Sequence, residues 1–531
     1  MAVDTQQSLQ RQSEEAIRLE DGPHDPKHEP ETSANDQAFI SGGKLALILA
    51  ALYATMFLVA LDRTIIGTAV PRISTEFHAL DDISWYASAY LITSSATQLL
   101  WGRIYTFYST KLIFIAAVVI FEVGSALCGA APNSTAFIIG RAIAGMGSAG
   151  IFSGSSVILT QILPLEKRPV YIGMMGSIFG VASIVGPLMG GAFTDNVTWR
   201  WCFYINLPIG GAVLAVLFVF LHVPQVTNTE TLKRQFIRMD PIGTVLFLPG
   251  IVCLILALQW GGASYPWSDG RIIALFVVAG VLLLAFIGVQ IWRQEDATTP
   301  PRIVSQRSVA CGIVYAMCIG GGMISLLYTL PIWFQAIKGT SAIQSGIDTI
   351  PLVLSLVVGA IMSGAIITRT GYYVPWMFVA TILTSVGSGL MTTFKTNTGH
   401  SAWIGYQPSM AAQTVLSQSD VSIGISLMFF SQSLGGAVFI CIGQSIFVNY
   451  LSDGLKAVSG INIQAILEAG ATALSDLVPA NKLHEVLVVY NDALQKAFIV
   501  VVAVSAFMVV PALGMEWRTV KNKQQGGEEQ K

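Results

Sequence analysis

The apolar residues of this chain come in continuous runs of about 20 or more, broken only by short polar stretches. Each run is long enough to cross a ~30 Å hydrocarbon layer as a helix. Only 11% of the 531 residues are charged, against roughly 25% in a water-soluble domain. A water-facing surface cannot be built from that composition, so lipid is the expected solvent. A transmembrane barrel needs short alternating segments, whereas these runs are continuous and rich in Gly, Ala, Leu and Val. The sequence therefore predicts an all-α polytopic membrane protein.

Roughly fourteen spans are expected: 44–70, 84–105, 112–130, 136–159, 170–191, 202–223, 241–260, 271–292, 309–334, 346–368, 374–394, 403–417, 424–448 and 496–517. The twelfth is abnormally short. Its fifteen residues, 403–417, include Gln407, Pro408, Gln413 and Thr414 and rise only about 22 Å as a helix. Residues 1–43 are polar, lack the apolar core of a signal peptide, and read as a disordered cytosolic tail. The domain plan is a six-helix half over 44–223, a linker with spans 7 and 8 over 224–308, and a second half over 309–517. That second half contains a large outer loop at 449–495, helix-prone in composition, and a C-tail follows at 518–531.

With the N-terminus inside, the inner loops and C-tail hold fifteen Lys and Arg residues, among them Arg103, Lys111, Lys233 and Arg234. The short outer loops hold five, Arg72, Arg200, Arg271, Lys338 and Lys395. That bias supports this topology. Sequons at Asn133 and Asn196 fall in outer loops too short to favour glycosylation. The net charge of −2 points to no nucleic-acid partner. Cys128, Cys202, Cys253, Cys311, Cys318 and Cys441 stand singly in apolar runs and read as packing residues, not as disulfides or metal ligands. His78 and His222 lie at span edges and are given no role.

Ionisable residues inside spans are few, and each costs ~2.5–3.5 kcal/mol at the bilayer centre on insertion scales. Asp62 and Arg63 end the apolar stretch of span 1. Two readings are open: a cavity-facing proton carrier with Arg63 beside it, or an interfacial ion pair. Arg141, near the start of span 4, either needs a buried anion or acceptor or snorkels to the interface. Glu122, mid-way along span 3, is either a silent protonated donor or a titrating group. Span 5 carries Gly173, Gly176, Gly180, Gly186, Gly190 and Gly191 around Pro187, a pattern that permits close helix approach and a bend.

Those residues carry a resemblance. The run Gly180-Val-Ala-Ser-Ile-Val-Gly186-Pro187-Leu-Met-Gly190-Gly191 resembles the antiporter motif of major facilitator exporters. Leu61-Asp62-Arg63-Thr64-Ile65-Ile66-Gly67-Thr68-Ala69-Val70-Pro71 resembles the span 1 signature of the fourteen-span drug:proton antiporters, and Gly140-Arg141-Ala-Ile-Ala-Gly145-Met-Gly147 their span 4 motif. Trp199-Arg200-Trp201-Cys202-Phe203-Tyr204-Ile205-Asn206-Leu207-Pro208 is similar to the fungal toxin and multidrug pumps of that subgroup. The resemblance implies the major facilitator fold, two six-helix halves plus two inserted central helices. It implies proton-coupled efflux of lipophilic small molecules, with Arg141 in proton coupling and Gly102, Arg103 and Lys111 in an inner gate loop; Asp62 and Glu122 join Arg141 as proton-coupling candidates by their place inside the spans.

There are two departures. At the position of the gate-loop Asp stands Thr106, so the usual carboxylate latch is absent. Span 12 looks deleted in part. The protein is expected to be a monomer in the plasma membrane or a vacuolar or vesicle membrane, with protons, lipid and a small lipophilic substrate as partners. No cofactor is expected, since a proton gradient would supply the energy and no Gly-x-x-x-x-Gly-Lys-Ser/Thr loop is present. No constellation for an enzyme is seen. Substrate-cavity candidates are Tyr90, Gln98, Asn206, Trp333, Gln335, Gln432 and Gln444, with Phe334 and Phe429. Uptake by the same fold, and a transport-incompetent isoform, are the alternatives.

Overall fold

The computed structural model describes residues 42–79, 82–222, 232–262, 265–399, 421–469 and 474–517. Among them there is no strand. The long helices are α1 (Gly42–Phe77), α2 (Ile83–Phe107), α3 (Thr110–Ala130), α4 (Ser134–Ile162), α5 (Arg168–Asn196), α6 (Asn206–Phe220), α7 (Pro241–Trp260) and α8 (Gly270–Arg293). They are followed by α9 (Arg307–Lys338), α10 (Ile350–Thr370), α11 (Val374–Met391), α12 (Val421–Leu455) and α13 (Ala480–Phe507). The 1–43 tail (but for its last two residues), span 12 at 403–417 and the 518–531 tail fall outside the described residues. The face on which α1 begins is called the near face below.

Twelve helices among the described residues are long and apolar enough to cross a membrane. The helix α2 is not one of them, because its Ser88, Thr93, Ser94, Ser95, Thr97 and Gln98 lower its hydropathy. Its 25 residues nevertheless rise ~37 Å. Those polar side chains face inward instead, and Ser88, Ser95 and Gln98 are buried. Two bundles result. In the first, α1 lies along α5, and α4 lies against α2 and α3; in the second, α9 packs on α12 and α13. The bundles meet where α5 crosses α10 and where α2 crosses α12.

The helices α7 and α8 form a hairpin outside both bundles. Trp85 of α2 meets Trp260 of α7 edge-on at 5.6 Å, and Phe247 of α7 meets Phe430 of α12 at 5.3 Å. The opposite wall of α8 exposes Ile273, Val277, Val281, Leu284, Ile287 and Ile291. In lipid an apolar wall needs no further cover.

The ends of the hairpin are tied by one buried carboxylate. Asp240 caps α7 from a left-handed backbone (φ 52°). It accepts hydrogen bonds from Gly243 N (2.9 Å), Gln290 Nε2 (2.7 Å), Thr298 N (2.9 Å) and Thr298 Oγ1 (3.0 Å), and pairs with Arg293 at 3.4 Å. Burial alone pushes this carboxyl up, but the hydrogen bonds from Gln290, Gly243 and Thr298 outweigh it and hold the group below its ordinary value.

On the far face the expected large outer loop at 449–495 is in good part helix. The helix α12 runs on to Leu455 and α13 begins at Ala480. Their 35 and 28 residues rise about 52 and 42 Å, more than a bilayer core needs. The reason is apolar spacing: Val486, Tyr490, Ala493, Leu494 and Ala497 make a helical stripe packed on Leu451, Leu455, Trp333, Phe334 and Phe394.

Asp240→Ala is expected to lower the thermal midpoint of the purified protein, since it strands buried donors at about 1–3 kcal/mol each. Because the folded carboxyl is the stronger acid, its contribution is present at neutral pH and fades as pH falls through its depressed value. The wild-type and mutant midpoints should therefore differ most at neutral pH and converge on acidification.

Candidate functional site

The first bundle contains a charged pair sealed from solvent. Asp62 stands on α1 among buried Leu61, Ile65 and Ile66, and Arg141 stands on α4. Asn133 caps α4 by accepting from Ala136 N at 2.9 Å, so Arg141 sits seven residues, ~10 Å, inside the helix start. Its Nη1 donates to Asp62 Oδ2 at 2.6 Å, with the two side chains 1% and 0% exposed. Its Nε donates to Tyr86 O at 3.0 Å, and its guanidinium lies 4.5 Å from the centre of the Tyr90 ring. The guanidinium does not snorkel, because the carboxylate, the carbonyl and the ring satisfy it in place.

The pair is satisfied on one side only. Asp62 Oδ1 and the Tyr90 hydroxyl are buried without a hydrogen-bond partner. The permanent positive charge of Arg141 and the carboxylate of Asp62 compensate each other where neither could stand alone.

Glu122 on α3 is also buried, and neither of its oxygens has a partner. It lies against Gly210 of α6, where any added side chain would strike the carboxyl. One turn on, Asn206 Nδ2 donates to Ser125 Oγ at 3.1 Å, while Asn206 Oδ1 is left unpartnered. An anion without donors is costly at such a site.

The glycine motif of α5 presses on both sides. Gly186 and Gly190 face Thr64, Ile65 and Thr68 of α1, within two turns of Asp62, and a Cβ at either would collide with a threonine hydroxyl. Thr64 Oγ1 donates to Ala182 O at 2.9 Å, binding the two helices. Gly180 faces Val353 and Val357 of α10, in the other bundle, while Gly191 meets nothing. Pro187 stands inside the helix and removes a backbone donor there.

On the near face, Arg103 donates to Arg238 O (3.1 Å) and Glu295 O (2.8 Å), both in the segments flanking the hairpin. Lys111 donates to Phe218 O at 2.6 Å. Gly102 packs on Ser426 of α12.

The cavity candidates do not converge. Tyr90 joins the charged pair, Gln98 Nε2 donates to Ser153 Oγ (2.7 Å), and Asn206 sits beside Glu122. Trp333 Nε1 donates to Asn491 Oδ1 (2.9 Å) in the far-face core, and Gln335 Nε2 to Ser345 Oγ (2.9 Å). The backbone of Gln432 packs on Gly320, and Gln444 lines a crevice in the second bundle with Ser325, Tyr328 and Thr329. Of the sequons, Asn196 ends α5 and its Nδ2 donates to Ala192 O at 2.9 Å. The thiols of all six cysteines are free. Among the described residues no three His, Cys, Asp or Glu side chains converge on a metal-sized site.

Two contributors were missed in the sequence. Thr64 and Thr68, at i and i+4 on α1, match Gly186 and Gly190 at i and i+4 on α5; the equal spacing is the signal. Glu76 accepts from Trp199 Nε1 (2.7 Å) and Arg200 (3.0 Å), and Arg200 also reaches Gly129 O and Ala131 O, so the Trp199-Arg200 motif is a far-face clasp.

Removing one partner of a buried pair costs about 3–5 kcal/mol. Asp62→Ala should therefore lower the thermal midpoint in detergent more than the joint substitution Asp62→Ala with Arg141→Met. Equal or additive losses would show that the pair is not coupled.

A model of the Major Facilitator Superfamily matches residues 52–440. The chain is 55% identical over 503 residues to the rubrofusarin-specific efflux pump aurT of Gibberella zeae, covering 92% of each chain. It is 52% identical over 500 residues to the MFS-type efflux pump MFS1 of Arthroderma benhamiae, covering 91% of this chain and 93% of that one. To the efflux pump aflT of Aspergillus parasiticus it is 47% identical over 506 residues, covering 92% and 98%. Among solved structures, the proton:xylose symporter XylE shares the fold with a TM-score of 0.54 at 13% identity, covering 90% of this chain and 98% of that one. The chain belongs to the major facilitator superfamily.

Proposed function

We propose that this chain exports lipophilic small molecules of the secondary-metabolite kind, and that a proton moving inward drives each substrate outward. The observation that carries the reading is the buried Asp62–Arg141 pair with its free Oδ1, on a helix that packs directly on the exporter motif of α5. Relatives named as efflux pumps, 47–55% identical over nine-tenths of the chain, support the direction.

In this reading Asp62 is the proton acceptor. Ionised, it holds Arg141 and ties α1 to α4. Protonated, it leaves the guanidinium to seek its carbonyl and ring partners alone, which shifts the balance between the two faces of the cavity. Glu122, buried without donors, is a second titrating group in the same bundle. Each pH unit contributes about 1.4 kcal/mol and each 100 mV about 2.3 kcal/mol per charge, so one proton supports a gradient of a few tens-fold or more. The protein acts as a monomer in the plasma membrane, with fourteen crossings and both termini cytosolic, which makes the near face the cytosolic one.

Cells producing the protein should retain several-fold less rubrofusarin than control cells, and a protonophore should remove the difference. Asp62→Asn and Arg141→Ala should each abolish export while the protein still reaches the membrane. Normal export by both variants would remove these residues from coupling.

A further inference from the structure

The gate loop lacks the carboxylate expected of it, yet α2 and α12 are fastened to each other at their near-face ends. We propose that the cytosolic gate is latched by an uncharged seam, in which Thr106 pairs with Ser422 and Ser153 with Ser426 across the two halves, closed over Gly102. The inference rests on the transporter reading above only for the word cytosolic and for the existence of a gate.

The geometry is that of α2 in antiparallel mesh with α12, with Ser153 of α4 reaching the same seam. Thr106 Oγ1 lies 2.6 Å from Ser422 Oγ, and Ser153 Oγ lies 2.9 Å from Ser426 Oγ. Gly102 and Thr106 are one turn apart on α2, and Ser426 and Ser422 one turn apart on α12, in the opposite order. The seam therefore runs straight along both helices. Gln98, one turn deeper than Gly102, donates to Ser153 Oγ at 2.7 Å and holds that hydroxyl toward Ser426. Thr106 also donates to Gly102 O at 3.0 Å, which fixes its rotamer.

Gly102 decides how close the helices come. A Cβ there would stand 2.7 Å from Ser426 Cβ and 3.2 Å from Ser422 O, so a larger residue would wedge the seam open. The nearby cation does not take part. Arg103 is turned the other way, onto Arg238 O and Glu295 O, and the Phe107 ring centre lies 5.0 Å from its guanidinium and 5.1 Å from that of Arg238. Its charge fastens the α7–α8 hairpin to the first bundle and leaves the contact with α12 to hydroxyls.

Such a latch opens without pulling charges apart. Each hydroxyl can exchange its partner for water as the seam parts, so the loss per bond is modest, and closure relies on several bonds together with the Gly102 fit. Proton sensing is then confined to the buried carboxylates, and the gate follows them.

The test reads accessibility, not transport. A cysteine replacing Ser94, one turn beyond Gln98 on α2, is labelled with a membrane-impermeant maleimide applied to the cytosolic side of inside-out vesicles, and its modification rate is read by peptide mass spectrometry. Thr106→Val combined with Ser426→Ala should raise the rate about tenfold or more, two hydrogen bonds having been lost, whereas Thr106→Ser should leave it within about twofold. Gly102→Ala, which presses a methyl against the Ser426 side chain, should raise it to a similar extent. Wild-type labelling in the Val/Ala variant, or in Gly102→Ala, would overturn the latch. Labelling requires neither cargo nor a proton gradient, so failure of export and failure of the latch are told apart.

Discussion

A carboxylate and a guanidinium 2.6 Å apart, both shut off from solvent inside a membrane bundle, set the terms for the rest of this structure. Either charge alone is expensive in that medium. Together they require that α1 and α4 stay in register, that the Tyr86 carbonyl turn toward Arg141 Nε, and that the rings of Tyr90 and Phe203 cover the guanidinium. The glycine-rich packing of α4 serves that arrangement. Gly145 meets the Tyr90 backbone and Gly147 the Phe121 backbone, so α2 and α3 come close enough to exclude water.

On the other side of α1, the small residues of α5 convert this local pair into a property of the whole molecule. Gly186 and Gly190 let α5 lie on Thr64 and Thr68, and Gly180 carries the same helix onto α10 of the second bundle. The helix α5 thus touches α1 and the seam between the bundles at close range, glycine backbone against threonine and valine side chains. The α7–α8 hairpin touches both bundles through Trp260 and Phe247, and its Asp240 junction keeps the segments that hold Arg103 together. Those flanking segments bond to Arg103 of the first bundle through Arg238 O and Glu295 O.

Much of this was legible in the sequence. Among the described residues the apolar runs placed the helices, with α7 at residues 241–260 as expected, most others extended at their ends, and α6 and α11 stopping short, because hydrophobic length is a strong signal. The glycines around Pro187 announced a close contact. What the sequence could not supply was which helix each face meets. Asp62 and Arg141 are 79 positions apart, and nothing local joins them, so each was read with its own alternatives. Trp333 and Gln335 looked like cavity residues because they are polar or aromatic within a span, but tertiary packing gives them to Asn491 and Ser345. The 449–495 segment looked like a loop because its polar residues hide the apolar stripe that α13 buries on the far face. In the sequence Thr106 is only a missing carboxylate; the Ser422 hydroxyl that pairs with it lies 316 residues away.

The central claim is that Asp62 exchanges a proton as substrate crosses. Purified protein in sealed liposomes containing a pH-sensitive dye gives the direct measurement, with the cargo of the proposed export assay added. Wild-type protein should move protons opposite to the cargo in a fixed ratio, and Asp62→Asn should abolish proton movement while cargo still equilibrates down its own gradient. Proton movement of wild-type size in Asp62→Asn, or cargo transport by wild-type protein with no accompanying proton, would contradict it.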